Sequence, residues 1–295
     1  MSAMAYIGVI LAIVYGGACL LLRFVQHRLI FVPSPIVELQ PEDWQLDPED
    51  VWLQVASETE EDAERIHGWW IPASPSTDSQ NVLLYLHGNS GNLSRNYNLD
   101  QIRRFSRLGF SVLAIDYRGY GRSSDRFPNE ARVYEDARIG LQYLMDTLKI
   151  APERIFLFGH SLGGAIAIET ATHHRDLAGL IIEGSFTSIL EVANNRKSYA
   201  MFPLDLILTQ RFNSIDKVAT LTMPILFIHG TDDSVVPSFM SEKLYAAATA
   251  EKQLYLVPQA GHNDVAAIAG EENYLEKVRQ FVRQVRDRQH FISDR

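Results

Sequence analysis

The chain has 295 residues, a formal net charge of -9 and a single cysteine, Cys19. The length allows one large domain with a sizeable core, and the acidic balance without a basic cluster excludes the concentrated positive surface that nucleic-acid binding needs. One cysteine cannot form an intramolecular disulfide, and no zinc-ligand spacing occurs, so we expect no metal and no cofactor.

The first 30 residues predict a transmembrane anchor. Positions 4–22 carry no charge, and a helix of this length spans nearly the roughly 30 Å hydrocarbon core. A cleaved signal peptide, or a lipoprotein signal ending before Cys19, is the alternative, but both lack the basic residues that should precede the apolar run. Because Arg23 and Arg28 follow the span, the positive-inside rule places residues 31–295, predicted as one domain, in the cytoplasm.

The domain is predicted to begin with an extended segment at 31–35, where two prolines disfavour helix. Positions 51–56 and 66–71 have strand character and predict a hairpin, joined by an acidic loop at 58–64. Residues 72–79 are rich in Pro, Ser and Asp and predict a surface loop.

Downstream of the hairpin, apolar strands alternate with helices. Strands are predicted at 81–86, 111–116, 155–158, 177–182, 224–228 and 254–257. Helices are predicted at 130–148 and 272–288, and two more follow the first and third of these strands and end near 108 and 173. This alternation implies a mainly parallel sheet covered on both faces. In such sheets reactive groups collect at the carboxyl ends of the strands.

One strand end carries the pattern Gly159, His160, Ser161, Leu162, Gly163. Gly-x-Ser-x-Gly between a strand and a helix is the context of a nucleophile elbow. The two glycines let strand and helix approach, so Ser161 is predicted to project near the helix N terminus, where unpaired N–H groups favour an oxyanion. The alternative is a glycine-rich turn with an incidental serine.

Three other strand ends supply candidate partners for Ser161. The backbone N–H of Asn89, in the loop 87–92, is the candidate second oxyanion donor, with an ordinary turn as the alternative. Of the adjacent acids Asp232 and Asp233, we favour Asp233 as the third member of a Ser, Asp, His order. His262 follows the final strand, where a general base can reach the serine.

The other histidines beside these motifs are interpreted as structural. His160 is predicted to point away from the serine, and His87 and His229 to fix loops. Residues 185–221 have few strand signals and predict a short helical insertion that covers the pocket, although a core-packed helix pair fits the same apolar pattern.

Together these motifs resemble the alpha/beta-hydrolase superfamily, over nearly the whole chain beyond the anchor, and in particular its membrane-anchored branch with a small lid. The resemblance rests on residues 86–92, 116–123, 159–164, 229–233 and 261–262. It implies an α/β fold with a mostly parallel, eight-stranded sheet flanked by helices. The implied site has Ser161 as nucleophile, Asp233 as orienting acid, His262 as base, and the Asn89 and Leu162 amides as oxyanion hole.

The expected reaction is hydrolysis of a carboxylic ester or thioester through an acyl-enzyme. The expected substrate is a lipid-like small molecule or an acylated protein, and the expected partner is the membrane that holds the anchor. Relatives in the superfamily include thioesterases, lipases and peptidases. Two alternatives therefore remain: a serine peptidase of the same fold, and an inactive membrane-tethered scaffold.

Overall fold

The computed structural model describes residues 3–56, 63–73 and 81–293. The strands are β1 (Val32–Pro33), β2 (Glu49–Gln54), β3 (Arg65–Ile71), β4 (Val82–Leu86), β5 (Ser90–Gly91), β6 (Ser111–Ile115), β7 (Ile155–His160), β8 (Gly179–Glu183), β9 (Ile225–Gly230) and β10 (Lys252–Val257). The α-helices are α1 (Ala3–Ile30), α2 (Asn96–Arg107), α3 (Glu130–Gln142), α4 (Leu162–Thr172), α5 (Ile189–Asn194), α6 (Leu204–Ile207), α7 (Ser214–Val218), α8 (Phe239–Ala247), α9 (Val265–Ala269) and α10 (Glu271–Ser293).

Eight strands form one sheet in the order β10-β9-β8-β7-β4-β6-β3-β2. β2 and β3 are antiparallel, β3 is antiparallel to β6, and every other pair in this sheet is parallel. The predicted mostly parallel sheet and its leading hairpin are therefore confirmed. Residues 57–62, which include most of the predicted acidic loop, lie outside the described residues. So do residues 74–80, which include most of the loop predicted at 72–79.

Side chains of the central strands alternate between two cores, as the two-residue period of a strand requires. In β4, Leu84 and Leu86 pack on the face covered by α3 and α4. Leu83 and Tyr85 pack on the opposite face, under α2 and α10. Burial on both faces explains why these strands read as continuous apolar runs rather than as alternating ones.

Several elements differ from the sequence-based expectation. The helix predicted over 130–148 is α-helical only to Gln142 and continues as one π-helical turn, Tyr143–Thr147. The helices α8 and α9 were not predicted. Nor was the short parallel pairing of β1 with β5, which fixes the extended segment after α1 against the loop that carries Asn89.

The N-terminal helix α1 is long and apolar enough, over Met4–Ile30, to cross a membrane: the mean hydropathy of its most apolar 18 residues is 2.3. A signal sequence passes the same test, so the helix is a candidate for either. Its last residues belong to the domain, because Ile30 and the following Phe31 are buried in the core.

The segment between β8 and β9 contains three short α-helices and one 3-10 turn, Lys197–Tyr199. α5 and α6 lie over the carboxyl ends of the strands and line a cavity with Ser161. α7 belongs to the main core instead, where Val218 is fully buried. Residues 185–221 thus combine a covering part with a core-packed part.

Removing one aromatic ring beneath the serine should destabilise the domain strongly. Phe158 is fully buried in β7, with ring centroids 5.1 Å from Tyr85 and 4.9 Å from Phe105. We expect Phe158→Ala to lower the free energy of unfolding by about 3–5 kcal/mol, because the cavity left behind cannot fully collapse. Urea unfolding measures this, with the exposed Phe291→Ala as matched control. Equal unfolding free energies for the two variants would contradict this account of the core.

Candidate active site

Ser161 sits between β7 and α4 in a strained backbone conformation, with φ 54° and ψ -116°. Glycines make the turn possible: a Cβ on Gly159 would lie 2.2 Å from the Gly163 oxygen, and one on Gly163 would lie 2.0 Å from the Leu86 oxygen. Such strain persists only where surrounding structure holds it. Here the Ser161 N–H donates to the Glu183 carbonyl at 2.9 Å.

Asn89 and Leu162, the residues predicted to supply the oxyanion-hole amides, line one cavity with Ser161. Leu162 is the first residue of α4, where a backbone N–H has no partner within the helix. The Asn89 N–H has no acceptor among the described residues, whereas the Asn89 carbonyl accepts from Val32 N at 3.0 Å and from Tyr120 Oη at 2.8 Å. The Asn89 side chain donates to the Ile30 carbonyl at 2.8 Å. The loop is therefore held by both its backbone and its side chain.

Asp233 and His262 are joined by a 2.6 Å hydrogen bond between Oδ2 and Nδ1. The other carboxylate oxygen of Asp233 accepts from the backbone N–H groups of Val235 and Val236, each at 2.8 Å. Burial works to raise the pKa of Asp233, but hydrogen bonds from His229 and His262 outweigh it and hold that pKa well below its ordinary value. The neighbouring Asp232 is exposed, so the geometry favours Asp233 of the two acids.

The Asp233 bond also determines the proton on His262. Its Nδ1 donates to the carboxylate, which leaves Nε2 as the basic nitrogen. Ser161 and His262 line one cavity, and the Ser161 hydroxyl has no hydrogen-bond partner among the described residues. Without substrate, such a hydroxyl and base are often not yet aligned.

His160 lies closer to the site than the sequence suggested. Its Nε2–H donates to the His262 carbonyl at 3.1 Å, and the centroids of the two rings are 4.8 Å apart. Burial lowers the pKa of His160 to about 3. A neutral His160 therefore supports the loop of His262 without placing a second charge beside it.

The remaining two histidines have the loop-fixing contacts expected of them. The His229 Nε2–H is shared between the Val236 carbonyl at 2.8 Å and Asp233 Oδ2 at 3.2 Å, and its Nδ1 is 2.6 Å from Ser241 Oγ. His87 Nδ1 donates to the Gly88 carbonyl at 2.7 Å.

Sequence reasoning missed a buried carboxylate beneath the serine. Glu183 ends β8 and accepts hydrogen bonds from Tyr97 and Tyr274, each at 2.6 Å, and from Gln101 at 3.0 Å. Burial raises the pKa of Glu183 above its ordinary value. The signal was available, since Glu183 is an acid that follows three apolar residues at a strand end, but its partners come from two distant helices.

Two cavities meet at Ser161 and Asn89. The apolar cavity, of about 150 Å³, is lined mainly by aliphatic and aromatic side chains that include Leu29, Phe186, Ile189, Val192, Leu204 and Val236. The polar cavity, of about 520 Å³, is lined by His160, His262 and polar side chains that include Arg95, Asn96, Tyr97 and Asn263. Within the described ranges, no three His, Cys, Asp or Glu side chains are placed to share a metal ion.

Comparison with known proteins agrees with this fold. Residues 77–214 match the family model described as serine aminopeptidase, S33. The chain is 35% identical to an uncharacterized Mycobacterium tuberculosis protein, Rv2307c, over 92% of each chain, and 32% identical to the alpha/beta hydrolase domain-containing protein WAV2 of Arabidopsis thaliana, over 92% of this chain and 91% of WAV2. An esterase of Pyrococcus furiosus, Pf2001, shares the fold with a TM-score of 0.67 at 20% identity, covering 86% of this chain and 98% of that one.

The fold and its relatives define a hydrolase of the serine type. The chain belongs to the alpha/beta-hydrolase superfamily, as its likeness to WAV2 along nearly the whole length of both proteins shows. The resemblance read from the motifs is thereby confirmed at the level of the superfamily.

The Asp233 carboxylate should make stability depend on pH. Because its pKa is lower in the folded chain than the unfolded value of about 3.9, the unfolded chain binds the proton first as the pH falls. Its stabilising contribution is thus full at neutral pH and is lost progressively below about pH 5. We expect Asp233→Asn to unfold at a lower urea concentration than wild type at pH 7. The difference between the two urea midpoints should become smaller by about pH 3. Asp232→Asn is the matched control, and a gap independent of pH would contradict the assignment.

Proposed function

We propose that this protein hydrolyses a carboxylic ester or thioester whose acyl group is apolar and whose leaving group is polar. The observation that carries the proposal is the position of Ser161 where an apolar and a polar cavity meet. A substrate lying across the serine would place its acyl chain in the first cavity and its leaving group in the second.

The proposed chemistry uses Ser161, His262 and Asp233 as a catalytic triad. His262 Nε2 takes the hydroxyl proton as Ser161 Oγ bonds to the carbonyl carbon, and the Asn89 and Leu162 N–H groups stabilise the oxyanion. The C–O or C–S bond then breaks, and the leaving group receives the proton from His262. Water, deprotonated by the same nitrogen, then bonds to the acyl carbon, the bond to Ser161 Oγ breaks, and His262 returns the proton to Oγ as the acid leaves. Asp233 holds the Nδ1 proton and stabilises the imidazolium.

The cavity linings support an acyl ester more than a peptide. An apolar cavity of about 150 Å³ holds a benzene-sized group, so it suits part of an acyl chain. A serine aminopeptidase is the second candidate, because the family model carries that description. Recognition of a free amine needs an available carboxylate, but Glu38, in the polar cavity, is paired with Arg95 at 3.3 Å.

An inactive scaffold, the third alternative, would have no physical need for a buried, ionised Asp233 hydrogen-bonded to His262.

We further propose that α1 is retained as a membrane anchor, with the domain on the cytoplasmic side. Leu22, Leu29 and Ile30 line the apolar cavity. Gln26 is buried, and its side-chain amide donates to the Ile207 carbonyl of α6 at 3.2 Å. A signal sequence that is removed would not supply a wall of the catalytic pocket, and this favours retention of the helix.

A graded substrate series should test the reaction. We expect the full chain to hydrolyse p-nitrophenyl esters and acyl thioesters with an optimum in acyl length. Ser161→Ala should lower kcat by roughly 10⁶-fold and Asp233→Asn by about 10⁴-fold, since the members of a triad act as a unit. Ser106→Ala, on α2, is the matched control and should leave kcat unchanged. Undiminished turnover by Ser161→Ala would overturn the assignment, and hydrolysis of peptides but not esters would favour the aminopeptidase.

A further inference from the structure

Part of the segment that covers the site runs along the membrane-candidate helix α1. We call residues 199–207 the lid tip. Arg23 Nη1 is 3.4 Å from the carbonyl oxygens of both Leu206 and Ile207. Just beyond the tip, Gln26 Oε1 accepts from the backbone N–H of Thr209 at 2.7 Å. Side chains at the charged end of α1 thus hydrogen-bond to the backbone of the lid tip and of the residues just after it.

The other end of the lid tip contacts α1 much nearer its N terminus. Tyr15 Oη donates to the Met201 carbonyl at 2.6 Å, and the Tyr15 and Phe202 rings lie nearly parallel with centroids 6.2 Å apart. Tyr15 precedes Arg23 by eight residues, which is about 12 Å along a helix. Arg23 is the first charged residue after the apolar run. If α1 spans a bilayer with Arg23 at the interface, Met201 and Phe202 lie well inside the hydrocarbon.

The exposed side chains of the lid tip suit that position. Met201 is 69% exposed and Leu206 is 77% exposed, and apolar side chains clustered in this way beside an apolar helix mark a membrane or protein contact. Arg196 and Lys197 precede the tip and are exposed, as residues at lipid headgroups would be. Asp205, also exposed, adjoins Leu206 at the level of Arg23, and therefore at the interface.

The apolar cavity lies between α1 and the lid tip. Its walls include Leu22, the last residue of the uncharged run, and Tyr199 and Leu204 of the tip, and it extends from there to Ser161. The cavity therefore connects the serine with the level at which α1 would enter the hydrocarbon.

We propose that the lid tip is embedded in the leaflet that α1 enters, and that the apolar cavity takes the acyl chain of a bilayer-resident ester directly from that leaflet. This rests on the proposed esterase function. It assigns the substrate to esters dissolved in the bilayer rather than to soluble esters or peptides. It also makes α1 a wall of the substrate path as well as an anchor.

Depth in the bilayer tests the embedding without reference to activity. Single cysteines replace Met201, Leu206 or Phe291 in a full-length Cys19→Ser chain in phosphatidylcholine nanodiscs, and each is labelled with bimane. We expect a phosphatidylcholine with a nitroxide on its acyl chain to quench the bimane fluorescence of Met201→Cys. A nitroxide near the headgroup should quench the fluorescence of Leu206→Cys. Phe291→Cys, exposed at the end of α10, is the matched control and should not be quenched. A Met201→Cys label quenched no more than the control would overturn the proposal.

Turnover tests the path of the substrate. In vesicles, we expect Met201→Asp to lower hydrolysis of a long-chain monoacyl ester dissolved in the bilayer by about 10- to 100-fold, because aspartate opposes insertion. Hydrolysis of soluble p-nitrophenyl butyrate should be unchanged, and Phe291→Asp should change neither rate. Equal losses on both esters, or no loss on either, would overturn the path from the leaflet. If wild type hydrolyses neither ester, the proposed function fails, while quenching still decides the depth of the lid tip.

Discussion

The strained, positive-φ backbone of Ser161 is the constraint on which the rest of the candidate site depends. A side chain at either flanking glycine would meet a backbone oxygen closer than atoms can approach, so β7 and α4 can be this close only with glycine at Gly159 and Gly163. The strain is held from β8, whose Glu183 carbonyl accepts from the serine N–H. Leu162, the first residue of α4, follows directly, so the proposed nucleophile and one proposed oxyanion donor depend on the same local conformation.

A second constraint links the N-terminal helix to the reaction. The Asn89 loop is bonded to the Ile30 carbonyl through its side chain and to Val32 through its backbone, so the position of the candidate oxyanion donor depends on where α1 ends. The same end of α1 supplies Leu22 and Leu29 to the apolar cavity. A chain truncated before Val32 would therefore lose part of the pocket as well as the helix.

Much of this could be predicted from local patterns. Each parallel strand of the eight-stranded sheet was visible as an apolar run, and Ser161, Asp233 and His262 follow or end strands of that sheet. What could not be predicted depends on contacts between distant segments: the support that His160 gives to the His262 loop, and the buried Glu183 held by tyrosines of α2 and α10. The pairing of β1 with β5 is equally invisible, because two residues are too few for a strand pattern.

The central claim is that Ser161 is an activated nucleophile. The most direct measurement is reaction of the full chain with a fluorophosphonate, followed by mass spectrometry of its peptides, beside Asp233→Asn. The account predicts one phosphonyl group per chain, on Ser161, and much slower labelling of the variant, whose His262 lacks its orienting carboxylate. Labelling spread over several serines, or Ser161 left unmodified while the protein is folded, would contradict it.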